Sequence, residues 1–396
     1  MRRRGPRPRS TNCCGTRRRV RNDVPDPVPL AQALIRCRSV TPADDGAMAV
    51  LEAALAPLGF ACHRLRFGEI ENLFAIRGEG GPHLMFAGHT DVVPPGTTGW
   101  TTDPFGGEVR DGLLFGRGAT DMKGGVAAWI SAVTDVLARR PDLPGTLSLL
   151  ITGDEEGPAV DGTVKVLDWL RDQQKIPDCC VVGEPTSKAV LGDTIKVGRR
   201  GSLNATLTVH GTQGHSAYPQ RADNPIHRLV RVLAALTGTP LDQGTEFFEP
   251  TTLQVTSFDV GNPATNVIPP SATARLNIRF NDRHTEASLT AHLRAALEAE
   301  APRHELAVSC SGEAFLTQPG PFVAALQAAV LAETGQAAKL DTGGGTSDAR
   351  FIARFCPVAE LGAVGATMHK ADESTPVAEL RALARLYARV IEDVLA

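Results

Sequence analysis

Residues 83–126 read HLMFAGHTDVVPPGTTGWTTDPFGGEVRDGLLFGRGATDMKGGV. The run Leu84-Met85-Phe86-Ala87 has the length and bounds of a buried strand. It ends in Gly88-His89-Thr90-Asp91, and residues two apart on an extended chain project to the same side. His89 and Asp91 therefore share a face at a strand end. Farther on, Gly116-Arg117-Gly118-Ala119-Thr120-Asp121-Met122-Lys123-Gly124-Gly125 sets a second acid in a glycine-dense turn that runs into an apolar, helix-like segment. A histidine with carboxylates on strand-end loops is a metal-ligand set in kind.

Outward from this stretch the hydrophobic period alternates between strand and helix. The spacing predicts helices over 29–36, 44–58, 126–138 and 162–171, the second with an acidic first turn. It predicts strands over 60–65, 72–76, 84–87, 146–152 and 179–183. Such alternation points to an α/β domain with a mostly parallel sheet, whose functional loops lie at the carboxyl ends of the strands. After Arg199-Arg200-Gly201-Ser202 the texture changes. Leu203–His210 alternates like a half-exposed strand, and a helix near 225–237, strands near 252–260 and 272–280, a helix near 285–299 and a strand near 305–310 follow. That order, β-α-β-β-α-β, is the ferredoxin-like arrangement, inserted into the first domain. The expected organisation is a tail over 1–25, a catalytic domain over 26–198 and 311–396, and an inserted α+β dimerisation lid over 199–310.

Composition sets further bounds. A chain of 396 residues, 42% apolar and 21% charged, is long enough for two or three domains around large cores. A net charge of −3 gives no reason to expect nucleic acid or an anionic membrane as partner. No apolar run approaches a membrane span. The eight cysteines show no CxxC spacing and read as free thiols in a reducing, cytoplasmic compartment. The first 22 residues carry nine arginines and no acid. They lack the apolar core of a secretory signal and read as a disordered tail, with a polyanion-binding arm or a transit peptide as the alternatives.

Two more strand ends and one late histidine are candidates for chemistry. Gly153-Asp154-Glu155-Glu156-Gly157 crowds three acids behind an apolar strand, where like charges repel unless a cation relieves them. A solvated acidic loop is the alternative reading. Val181-Val182-Gly183-Glu184 repeats the pattern of an acid at a strand end. Ala366-Thr367-Met368-His369-Lys370 supplies a late histidine, which alone reads as a surface residue.

GHTDVVPPG, GRGATDMKGG, TGDEEGPAVDGT, VVGEPTS, GHSAYPQRADNPIH, TNVIPP, GGGTSDARF and TMHK, in this order and spacing, resemble the M20 family of co-catalytic zinc peptidases and deacylases. The likeness runs over residues 26–396. It implies two Zn2+ ions per subunit, with Co2+ as a substitute, bridged by Asp121. One ion would be held by His89 and Glu184 and the other by Glu156 and His369. Asp91 would orient the His89 imidazole, and Glu155 would serve as general base. The residues alone do not say which of Glu155 and Glu156 is base and which is ligand. The resemblance further implies a homodimer in which His215 of the lid, assisted by Asn266, reaches the partner's active site to hold the oxyanion. Arg199, Arg279, Gly345, Thr346 and Ser347 resemble substrate-anchoring positions, with Arg200 as the alternative to Arg199; an Arg fork suits carboxylates.

Within the family the resemblance of the GEPTS, IKVGRRGS and GGGTSDARF segments, which would line the substrate, favours a deacylase acting on a small succinylated amino acid. The rivals are an acetyl-removing deacylase, a dipeptidase or a carboxypeptidase, and, from another class, a non-catalytic binding protein on the same scaffold.

Overall fold

A computed structural model describes residues 24–395. The arginine-rich tail falls almost wholly outside the described residues. Two layered units account for the rest.

The larger unit is built on an eight-stranded sheet in the order Ala61–Phe67, Ile70–Gly78, Thr146–Thr152, His83–His89, Cys179–Val182, Val358–Glu360, Thr194–Lys196, Lys339–Asp341. The three pairings joining Thr146–Thr152, His83–His89, Cys179–Val182 and Val358–Glu360 are parallel. Antiparallel pairings lie toward the edges. Thr146–Thr152 is buried along its whole length, as an interior strand covered on both faces must be. Helices Lys123–Arg139, Pro321–Thr334 and Val377–Val394 cover one face, where Phe86 stacks on Trp129 at 4.7 Å and meets the edge of Tyr387. Thr163–Asp172 and the short Ala349–Ile352 cover the other, with Phe74 against Trp169 at 5.8 Å. The sequence reading of this α/β layer holds.

The smaller unit comprises strands Gly201–His210, Thr252–Asp259, Ser271–Phe280 and His304–Gly312, with helices Pro225–Thr237 and Glu286–Glu300. Its sheet is antiparallel, with Thr252–Asp259 and His304–Gly312 at the edges and Gly201–His210 inside. This is the strand order of a ferredoxin-like α+β sandwich. Leu203, Ala205, Leu207 and Val209 alternate inward and meet Leu229, Val232, Leu289 and Leu293 of the two helices in a separate core. Asn224 and Thr285 cap the helices with side-chain hydrogen bonds to Ile226 N and Ser288 N.

Two details differ from the sequence reading. The helix expected over 44–58 spans Ala47–Leu55, followed by a 3₁₀ turn at Ala56–Leu58. Asp44 is not in the helix but accepts from Met48 N (3.0 Å) and Gly46 N (3.1 Å), and Gly46 sits at φ +89°. The acid that reads as a first-turn residue is a cap. Small sheets also appear, among them Leu113–Phe115 between Val109–Arg110 and Ser374–Pro376; segments of two or three residues carry no readable period. Among the described residues no helix is long and apolar enough to cross a membrane, and Cys37, Cys62, Cys179, Cys180, Cys310 and Cys356 are free thiols.

Candidate active site

The carboxyl ends of the parallel strands converge on one cleft of about 480 Å3. His89 is the last residue of its strand and lies beside Thr152 of the next. Its Nδ1 donates to the backbone oxygen of Asp91 at 2.9 Å, which turns Nε2 toward Asp121 Oδ1 (3.2 Å) and Glu184 Oε1 (3.7 Å). The Asp91 carboxylate does more than attend the imidazole. It lies 3.6 Å from Nδ1 and accepts from the amides of Glu155 (3.3 Å) and Glu156 (2.9 Å), anchoring the acidic loop. Burial pushes Asp91 up to about 6, against the pull of His89 and those two amides.

Across the cleft, His369 Nε2 stands 2.8 Å from Glu156 Oε1 and 3.3 Å from Asp121 Oδ2. Those acids raise the His369 imidazole to about 10 through their hydrogen bonds. Burial pushes the Asp121 carboxyl up, but the hydrogen bonds from both histidines outweigh it and hold it below the ordinary range. Burial, with Asp348, Glu156 and Asp121 as like-charged neighbours, pushes Glu155 up to about 8 although His89 opposes the rise. Glu184 is driven well above the ordinary carboxyl value, chiefly by burial and then by Asp121 and Glu155.

Four carboxylates so close repel one another; without metal, protons on Glu155 and Glu184 relieve this, and bound cations would do so with all four ionised. Ligand-type atoms of His89, Asp121 and Glu184 lie within 4.8 Å of one another, as do those of Asp121, Glu156 and His369. Asp121 belongs to both groups. A third group of the same kind joins His89, Glu155 and Glu156. The donors are nitrogen and oxygen without sulfur, and two neighbouring triads sharing one carboxylate fit a pair of borderline divalent ions such as zinc.

The expected substrate residues divide. Gly345 and Thr346 line the cleft with Arg199, while Arg200 turns away to Glu249 at 3.7 Å. Arg199 is not a free fork: Nε donates to Glu360 Oε1 at 2.9 Å, a second nitrogen is bonded to Oε2, and Nη1 donates to Gly345 O at 2.9 Å. Ser347 lies behind the cleft wall and donates to Glu360 at 2.6 Å. His215, Asn266 and Arg279 belong to the smaller unit and do not line the cleft. His215 is exposed, its Nδ1 accepting from Ala217 N, and it neighbours Asn266, whose backbone oxygen accepts from Ser216 N. Arg279 donates to Asn277 at 3.2 Å on the sheet.

Other residues at the site escape the sequence reading. Glu360 ends a buried strand, the same signal that marks Glu184, and was legible in principle. Lys196 also closes a buried strand, lines the cleft, and donates to Asp341 (2.8 Å) and Gly343 O (2.7 Å). Arg117 lies in the glycine-dense turn, but nothing local marks its pairing with Glu373, 256 residues on.

The sequence model of peptidase family M20/M25/M40 matches residues 85–393. The chain belongs to this family. As an M20 member it is 60% identical to the succinyl-diaminopimelate desuccinylase of Acidiphilium cryptum over 93% of this chain and 98% of that one. It is 58% identical to the desuccinylase of Rhodospirillum centenum, over 93% and 97%. Among solved structures, aminopeptidase PepT from Bacillus cereus superposes with a TM-score of 0.75 at 22% identity, over 94% of this chain and 98% of that one. The Bacillus subtilis YXEP protein, a dinuclear metal-binding peptidase of the M20 family, gives 0.69 at 17%, over 93% and 99%. These two likenesses speak to the M20 fold alone.

Proposed function

We propose that this M20 member is a succinyl-diaminopimelate desuccinylase of lysine and diaminopimelate biosynthesis. It hydrolyses N-succinyl-LL-2,6-diaminopimelate to succinate and LL-2,6-diaminopimelate, as a cytoplasmic homodimer. One observation carries the reading. Likeness to curated desuccinylases extends along nearly the whole chain, and the candidate metal-ligand groups are consistent with it.

His89 and Glu184 would hold one zinc ion, Glu156 and His369 the other, with Asp121 between them. When bound, such ions supply Lewis acidity, polarising an amide carbonyl and acidifying water. Glu155, beside a ligand but free to point into the cleft, takes the proton from the attacking water and returns it to the leaving amine as the C–N bond breaks. Without metal, burial and the neighbouring carboxylates raise this carboxyl; bound cations would favour its ionised form, the form that accepts a proton. Asp91 keeps the His89 ring turned and the Glu155–Glu156 loop in place. His215 of the partner subunit, with Asn266, donates to the oxyanion as charge develops there.

The test supplies the succinylated substrate and N-acetylornithine side by side to the zinc-loaded protein. Faster turnover of the succinylated substrate is expected. Faster turnover of acetylornithine would replace the proposal with its sister activity.

A further inference from the structure

Asp121 and His369 sit on segments about 250 residues apart, and an ion pair the sequence does not announce joins those segments. Arg117 Nη1 donates to Glu373 Oε2 at 2.6 Å and to the backbone oxygen of Lys370 at 3.2 Å. The other carboxylate oxygen of Glu373 accepts from the amides of Thr120 (2.9 Å) and Asp121 (3.1 Å). Both side chains are buried, at 3% and 0% exposure. Beside them Gly116 N donates to Glu373 O, Thr120 Oγ1 donates to Ser374 O at 3.0 Å, and Phe115 pairs with Ser374.

The two triads around Asp121 are not equally supported. His89 ends a buried strand and Glu184 follows one by two residues, so strand ladders fix that side. His369 belongs to a loop, its side chain is 48% exposed, and its backbone lies in the left-handed region at φ +61°. A non-glycine residue keeps that conformation when its surroundings dictate it. Four residues later the same loop delivers Glu373 into the protein interior, against the amide of Asp121 itself. Buried ion pairs contribute little net stability but fix position.

Building on the dinuclear reading above, we propose that Glu373 and Arg117 are positioning residues that set the reach between Asp121 and His369. They thereby set the affinity of the metal position these two share with Glu156.

The test is zinc titration of the metal-stripped full chain against a chromophoric chelator, comparing the unsubstituted protein with Glu373→Gln. The glutamine keeps shape and one acceptor but turns an amide NH2 toward a donor. Affinity for one of the two ions is expected to fall about 10–100-fold, the usual effect of removing a group that orients a ligand, and the other, held also by the strand-end His89 and Glu184, to fall much less. The double variant Arg117→Met/Glu373→Gln removes both buried charges, and so reports on the same question should the single variant leave Arg117 uncompensated and unfold. It is expected to show the same selective loss with cooperative unfolding retained. Two ions held unchanged by the folded variants, or both weakened by one factor, would overturn the inference alone. Fewer than two ions in the unsubstituted chain would overturn the dinuclear reading and this inference with it.

Discussion

His369 Nε2 lies 2.8 Å from Glu156 Oε1 across 213 residues of chain, and without metal the contact is that of an imidazolium with a carboxylate. The hydrogen bonds to Asp121 and Glu156 raise His369 to about 10, and His89 is also raised well above its ordinary value. A metal ion takes the neutral ring, so binding must displace those protons. Zinc affinity is therefore expected to climb as pH rises through 7–9 and to flatten toward pH 10. Calorimetry in buffers of different ionisation enthalpy should register a proton from each histidine. The sign for stability runs the other way. The charged His369 stabilises the metal-free fold fully below 6.5, and that contribution is lost as pH rises through about 10. A pH-independent affinity with no proton release would remove both histidines from the metal positions.

Glu155 is distinguished from Glu156 by its surroundings. Glu156 meets His369 directly, whereas the Glu155 carboxylate is pushed up to about 8, burial being the largest cause. Replacing it with alanine is expected to lower turnover by about 10²–10⁴-fold, the range for losing a general base, with two zinc ions still bound. Metal analysis and rate measurement on one preparation check this. Undiminished turnover would assign the base elsewhere.

What was legible in the chain follows from range. Strand Thr146–Thr152 and helix Pro225–Thr237 have the bounds that apolar run length and turn residues predict, because both signals are local. Nothing local divides the roles of Glu155 and Glu156, but the acids after Thr146–Thr152 and Cys179–Val182 were legible as strand-end charges for the same reason: apolar strand, glycine, charge. The state of Arg199 was not. Its pairing with Glu360 spans 161 residues, and no neighbouring residue records that the fork is already occupied. Arg117 and Glu373 are hidden in the same way. The place of His215 lies beyond local pattern too: it is exposed on the smaller unit, where its Nδ1 accepts from Ala217 N.

His215 is exposed and stands outside the cleft of its own chain. If it serves the partner subunit, His215→Ala should lose turnover while keeping both metal ions. A mixed dimer with Glu155→Ala would then regain one working cleft: the His215→Ala chain supplies Glu155, and its partner supplies His215. Coexpression of the two variants with separate affinity tags, followed by assay of the doubly purified dimer, checks this. No recovery over the two homodimers would mean that His215 acts within its own chain or not at all.

Asp242 organises the loop between helix Pro225–Thr237 and strand Thr252–Asp259. Its Oδ1 accepts from Gly244 N (2.6 Å) and Asn281 Nδ2 (2.7 Å), and its Oδ2 accepts from Thr251 N (3.2 Å) and stands 3.1 Å from His284 Nε2. Burial raises this carboxyl, but the donors together hold it at about 2. A carboxylate depressed in the folded state stabilises it above the ordinary value of 3.8, and that contribution is lost as pH falls through about 2. Asp242→Ala leaves those donors unpaired and should cost about 1–3 kcal/mol, flattening the acid limb of the smaller unit's unfolding curve between pH 4 and 2. The loop itself should open first. Glu246 and Glu249 lie within it, so a glutamate-specific protease should nick the variant there at neutral pH while sparing the parent. Equal resistance in both would show that the loop is held by the burial of Phe248 and not by Asp242.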